Sequence, residues 1–174
     1  YIIEVGHESN DLDYSNTTAL SLNGGSIRDI SGNNATLTLI PPGSNGSLSA
    51  NKTLVVDGGA PVVSSVTSTY SDGTYIVGDS IKINVLFSEV VTVTGVPIIT
   101  LETGDNDVVI NYANGTGTNT INFSYVVSEG QYTNDLSYMD QNALELNQGS
   151  LKDAAGNNIV LTLPEPDSTG SLSI

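Results

Sequence analysis

Carboxylates are the side chains of this sequence best placed to do chemistry. Asp57 ends the run LVVD, Asp72 and Asp79 flank SDGTYIVGD, Glu89 closes SIKINVLFSE, and Glu102, Asp105 and Asp107 crowd LETGDND. A hard cation such as calcium gathers about six to eight oxygens from carboxylates and backbone carbonyls. Asp57, Asp72, Asp79 and Glu89 are therefore the candidate metal ligands. The placement follows from strand parity. If the two strands after Gly58-Gly59 run out and back, Asp57 and Glu89 fall near one end of a unit and Asp72 and Asp79 near the other. Calcium held there would stiffen a joint whose paired glycines otherwise hinge freely. No D-x-D-x-D-G loop is present, so any site must be assembled from separate loops. The same acids also read as a solubilising surface, and both readings stand at this point.

Other reactive types lead nowhere catalytic. His7 is the sole histidine, sits in a polar loop, and has no partner and orienter in the sequence pattern. No G-x-S-x-G elbow accompanies the many serines. Asp11 and Asp13 resemble a hydrolytic carboxylate pair, but the repeat described next replaces Asp13 by Ser137. NGTGTN reads as a hairpin turn, because no helix follows it to cradle a phosphate. Six N-x-S/T sequons begin at Asn16, Asn34, Asn45, Asn51, Asn114 and Asn122. A chain this rich in Asn, Ser and Thr produces several by chance.

What must position these residues is written twice in the chain. Tyr1 to Ser49 aligns without a gap on Tyr125 to Ser173, an offset of 124 residues, and 25 of the 49 pairs are identical. Asp11/Asp135, Tyr14/Tyr138, Leu20/Leu144, Asp29/Asp153 and Gly32/Gly156 are among the identities. Self-similarity at a fixed period marks a tandem array. Tyr14 and Tyr138, which recur in DLxY, read as core or corner tyrosines. Gly32/Gly156 and Asn33/Asn157 read as positive-φ turn positions.

The pattern between these landmarks is that of short strands. In SIKINVLF, Ile81, Ile83, Val85 and Phe87 face one way and Lys82, Asn84 and Ser88 the other. TINFSYVV alternates in the same manner, VPIITLE and DVVINY flank the turn TGDN, and VVSSVTS precedes them. In the first copy ALSLN and ATLTL read as short strands, and LSANKTLVVD as an extended course. No sustained spacing of three and four predicts a substantial helix. Turn signals every eight to twelve residues predict an all-β, antiparallel sandwich of immunoglobulin-like size. Gly58, Gly59 and Pro61 form the joint. Residues 1–59 are expected to be the C-terminal half of one repeat and residues 60–174 a second, nearly complete one.

Composition narrows the function further. Nineteen acids oppose Arg28, Lys52, Lys82 and Lys152, for a net charge of −15. That balance excludes the basic footprint of a nucleic-acid binder and docking on anionic lipid. No apolar run is long enough to insert into a membrane as a helix. Cysteine is absent, so neither disulfides nor thiolate zinc sites arise. The chain opens within what the second copy shows to be a strand, and stops before a counterpart of NKTLVVD. It reads as a piece of a longer polypeptide.

The combination SDGTYIVGDSIKINVLFSEVVTVTGVPIITLETG, YANGTGTNTINFSYVV, DLSY, ALELNQGSLKDAAGNN and LTLPEPDSTGSLS resembles the bacterial Ig-like repeats of giant surface proteins. Such modules are found in large repetitive adhesins and in giant cell-surface proteins associated with cyanobacterial swimming. KDAAGNN and RDISGNN are also similar to the strand-turn signature of surface-layer Ig-like domains. The resemblance implies a tandem immunoglobulin-like β-sandwich, extracellular or on the bacterial cell surface, often stiffened by Ca2+ at inter-repeat joints. It implies a non-catalytic stalk or filament whose partners are neighbouring repeats of the same chain, with lateral or head-to-tail self-assembly. Two alternatives remain: an adhesin repeat that itself binds glycan or another cell surface, and an accessory domain of a secreted enzyme. Architecture alone does not choose among them.

Overall fold

A computed structural model of the chain describes residues 1–173. The chain divides into two compact units, Tyr1–Gly59 and Ala60–Ile174.

The first unit is sparse in regular structure. β1 (Glu8–Ser9) pairs antiparallel with β2 (Val56–Asp57), setting Glu8 opposite Asp57 and Ser9 opposite Val56. Between them lies α1 (Leu48–Asn51), one helical turn where the sequence suggested extended chain. Its cause is local: Ser47 is an N-cap whose hydroxyl accepts from the Ala50 N–H at 3.2 Å. The strands expected at ALSLN and ATLTL do not form. Leu20 stays 40 % exposed and Leu22 39 % exposed. Within this unit the second segment makes only isolated backbone bonds, Ala35 N–H to the Ile27 carbonyl at 2.9 Å and Leu39 N–H to the Thr17 carbonyl at 2.8 Å, which do not build a continuous ladder.

The second unit is an all-β domain built on one curled, partly open sheet, a half-barrel compatible with a sandwich. β3 (Val63–Ser68), β4 (Ser80–Thr94), β5 (Ile98–Glu102), β6 (Val108–Asn114) and β7 (Thr118–Val126) carry most of it. β8 (Ser137–Tyr138), β9 (Leu144–Glu145) and β10 (Ser150–Lys152) complete it. The main path runs β10-β4-β7-β6-β5-β8, with β3 also on β4 and β9 also on β5. Every strand pair is antiparallel.

The curl originates in β4. Its first half holds β3 on one side and β7 on the other, from Ser68 opposite Ile83 to Leu86 opposite Thr120. The register against β7 then slips between Leu86 and Val91, and the last residues of β4 pair instead with β10. A bulge of this sort bends the strand and increases its twist. One long strand thereby serves both flanks of the curl.

The alternation predicted for β4 and β7 is present. Ile83, Val85, Phe87, Ile121 and Phe123 are buried in one cluster with Leu101, and Lys82 faces out. Asn84 departs from it. Although on the outer parity, it is buried between Thr67 and Asn122 on the neighbouring strands, and its Oδ1 has no hydrogen-bond partner among the described residues. The β6–β7 turn depends on Gly115, at φ 115°, where an added Cβ would lie 2.2 Å from the Thr120 carbonyl oxygen.

Candidate functional site

Both copies of the repeat build the same three devices. The first is the loop RDISGNN or KDAAGNN, closed by an isolated bridge, Arg28 with Asn34 and Lys152 with Asn158. In the first unit Asp29 accepts from the backbone N–H groups of Ser31 and Asn33 and from Asn33 Nδ2, each at 2.9 Å. The Asn33 side chain, foremost, holds the Asp29 carboxyl below its ordinary pKa. In the second unit Asp153 accepts from Asn157 N and Asn157 Nδ2, each at 2.8 Å. Glycine at 32 and 156 does take positive φ, 87° and 92°. Asn33 and Asn157 do not. Their amides instead clasp the aspartate, which corrects the expectation from sequence and supplies a reason for the D-x-x-G-N spacing.

The second device is the tyrosine. The Tyr138 hydroxyl donates to the Pro164 carbonyl at 2.5 Å, and the Tyr14 hydroxyl to the Ile40 carbonyl at the same distance. Tyr138 is 1 % exposed, so it is the buried corner residue that its recurrence suggested. Burial, and secondarily the Glu165 carboxylate, pushes its phenol up to about 12. The third device pins the far side of the turn. Asp13 accepts from Ser49 Oγ at 2.5 Å and from the Gly43 N–H at 3.1 Å. The Ser49 bond above all, with the backbone donors, lowers its carboxyl to about 2. The second copy does the same work without charge, through Ser137 and Ser173 at 3.1 Å. The Asp11/Asp13 pair is accordingly a hydrogen-bonding fixture: Asp11 Oδ1 takes the Leu54 N–H at 3.2 Å.

His7 is also bonded within its own loop. Its Nδ1 accepts the Glu4 N–H at 3.2 Å and lies 3.0 Å from the Tyr1 hydroxyl, with the two rings stacked at 5.8 Å.

Of the four candidate metal ligands, Asp72, Asp79 and Glu89 lie in the second unit and have different surroundings there. Asp57 belongs to the first unit, in β2. Within the second unit Asp79 caps a turn, its Oδ2 taking the Ile76 N–H at 2.9 Å, and Asp72 stands on the wall of a cleft. Glu102 and Asp107 also serve turns, accepting from the Gly104 and Thr103 N–H groups. Glu89 has a carboxylate neighbour in its own unit that sequence reasoning passed over. It shares the inward parity of Phe87 and Val91 on β4, which half-buries it, and an Asp153 oxygen lies within 4.8 Å of one of its own. Asp153 follows directly on β10, the strand that pairs with the end of β4. The available signal was the Asp29/Asp153 identity within the repeat. Two carboxylates this close repel unless a proton, a donor or a cation intervenes. They supply part of the oxygen set that calcium takes.

The cleft, 570 Å³ in volume, was not foreseen either. Ile81, Ile83 and Tyr125 form its apolar floor, with Tyr70, Tyr132 and Leu136 around it. Tyr70 and Tyr75 meet edge to face at 6.2 Å. The phenols are tied internally: Tyr75 to the Ser71 carbonyl at 2.6 Å, Tyr125 to Gln131 Oε1 at 2.9 Å, Tyr132 to Asn134 Oδ1 at 2.7 Å. The cleft thus sets aromatic rings around an apolar floor.

No helix among the described residues is long and apolar enough to cross a membrane. No protein-family description, no curated protein and no solved structure matches the chain.

Proposed function

We propose that the chain is a structural, non-catalytic repeat module of the immunoglobulin-like kind, part of an extracellular stalk or filament of a large bacterial surface protein. The observation that carries this reading is the repeat itself. Two segments 124 residues apart spend their recurrent polar residues on holding their own loops: Tyr14 and Tyr138 on a carbonyl, Asp29 and Asp153 on an asparagine. Side chains retained for catalysis have to face substrate, whereas these face their own backbone. A module whose repeated chemistry is internal serves by its shape and by its junctions with neighbouring modules.

Calcium belongs to this proposal through Glu89 and Asp153, the close carboxylates of the second unit. Binding would replace their repulsion with coordination and stabilise the turn that carries Asp153. Melting the chain in millimolar calcium and in chelator tests this part. The expected result is a higher melting temperature with calcium, abolished in Asp153→Asn. An unchanged melt in both would remove calcium from the proposal.

The tyrosine-rich cleft favours a second reading, an adhesin repeat that binds glycan, since sugar rings stack on aromatic faces. A glycan array probed with the whole chain separates the two. The structural reading predicts no saturable signal. Specific binding that is lost in Tyr132→Ala would transfer the function to the cleft.

A further inference from the structure

The cleft of the second unit has a counterpart surface in the first unit, and there it is covered. Residues 132–136 line the cleft, and their equivalents are Glu8 to Leu12. In the first unit that segment carries a strand along its edge. Glu8 pairs with Asp57 and Ser9 with Val56, the Leu12 N–H donates to the Leu54 carbonyl at 2.8 Å, and Asp11 Oδ1 takes the Leu54 N–H. Asp11 and Leu12 are repeated as Asp135 and Leu136, so the two groups that hold Leu54 are present at the cleft.

We propose that the cleft is an acceptor for one further β-strand: an extended segment with the sequence of Asn51–Asp57, joined directly after the back half of the repeat and laid antiparallel along residues 132–136. Strand addition of this kind draws affinity from main-chain hydrogen bonds and selectivity from pockets for alternate side chains. The alternation fits. Leu54 and Val56 share one face, and in the first unit only Val56 is buried while Leu54 remains 42 % exposed. The second unit offers that face a floor of Ile81, Ile83 and Tyr125, which the first unit lacks. The entry point fits as well, because Leu172 and Ser173 themselves line the cleft, so a strand continuing from them starts inside it. This inference rests on the repeat and on the cleft, not on the stalk reading. An adhesin repeat would need the same strand.

The experiment appends NKTLVVD after Ile174 of the full chain, in the register of the repeat, and compares it with a scrambled extension of equal composition. Hydrogen exchange and thermal melting are read on both. The expected result is at least about tenfold slower exchange at the Leu136 amide, together with a rise of roughly 5 °C in the melting of the second unit, from the NKTLVVD extension alone. Unchanged exchange and melting would overturn the proposal, as would equal effects from the scrambled extension. Saturable oligosaccharide binding that persists undiminished with NKTLVVD attached would also overturn it, and would identify the cleft as a sugar site.

Discussion

Leu20 and Leu144 are the same residue of the repeat in two surroundings, and truncating each measures what the surroundings contribute. Leu144 lies on β9 against β5 and is 2 % exposed; Leu20 has no such strand beside it within its unit and is 40 % exposed. Leu→Ala removes the equivalent of three methylene groups, about 2.4 kcal/mol of transfer free energy at ~0.8 kcal/mol each. At Leu144 a cavity term adds to this, because the neighbouring Ile99 and Leu101 are fixed on β5 and the site cannot collapse. The expected cost is therefore about 3–4 kcal/mol for Leu144→Ala. For Leu20→Ala, with 40 % of its surface already in water, the transfer contribution falls to about 1.4 kcal/mol and little cavity cost adds to it. Urea denaturation at constant m-value reads both, with the tyrosines as probe. Equal losses from the two substitutions would refute the claim that the strands of residues 60–124 are what bury the back half of a repeat.

Four further outcomes are expected. Tyr138→Phe should cost about 1–3 kcal/mol, since it strands the Pro164 carbonyl, and Tyr14→Phe should cost less in its more open setting; chemical denaturation compares them. Alkali should act through the same phenol: its pKa is raised from 10.0 to about 12, so the stability it contributes is full below 10 and falls as pH rises through 12. Asp13 works in the opposite direction. With its pKa lowered from 3.8 to about 2, its contribution is present above 3.8 and lost as pH falls through 2, and Asp13→Asn should flatten that acid limb in melts of the first unit. Asn84→Val should be neutral or stabilising by up to about 1 kcal/mol, because it removes a buried oxygen that has no partner among the described residues; a loss above that would show Asn84 to be engaged.

The parts of the fold legible in the sequence were those set by local alternation. Ile81, Ile83, Val85 and Phe87 on β4 and the β5–β6 hairpin around TGDN follow from period-2 patterning and turn residues alone. Tyr138 was legible because the repeat holds it constant while Tyr14 and Tyr138 have different neighbours. What was missed depends on partners distant in the chain. Leu20 and Leu22 have the same pattern as Leu144 and Leu146, yet no strand forms in the first unit, since pairing needs the β5 edge that only the second unit supplies. The curl of the sheet comes from one slip between Leu86 and Val91, inside a run whose composition reads as continuous strand. The helical turn at Leu48–Asn51 is too short to show a helical period, and only the Ser47 cap signals it. Asp153 escaped notice as a neighbour of Glu89 because the two are brought together by the β4–β10 pairing, while the more conspicuous acids Asp79, Glu102 and Asp107 are spent on turns.

The proposal of an extended stalk is tested most directly by length. The period Asn51–Ile174 is 124 residues, so it concatenates without a break. Small-angle scattering on arrays of two, four and six such periods, in calcium and in chelator, reads the maximum dimension against repeat number. A stalk predicts that dimension to grow in proportion to the number of repeats. Growth that instead follows roughly the square root of repeat number in both conditions, the behaviour of freely jointed beads, would contradict the account.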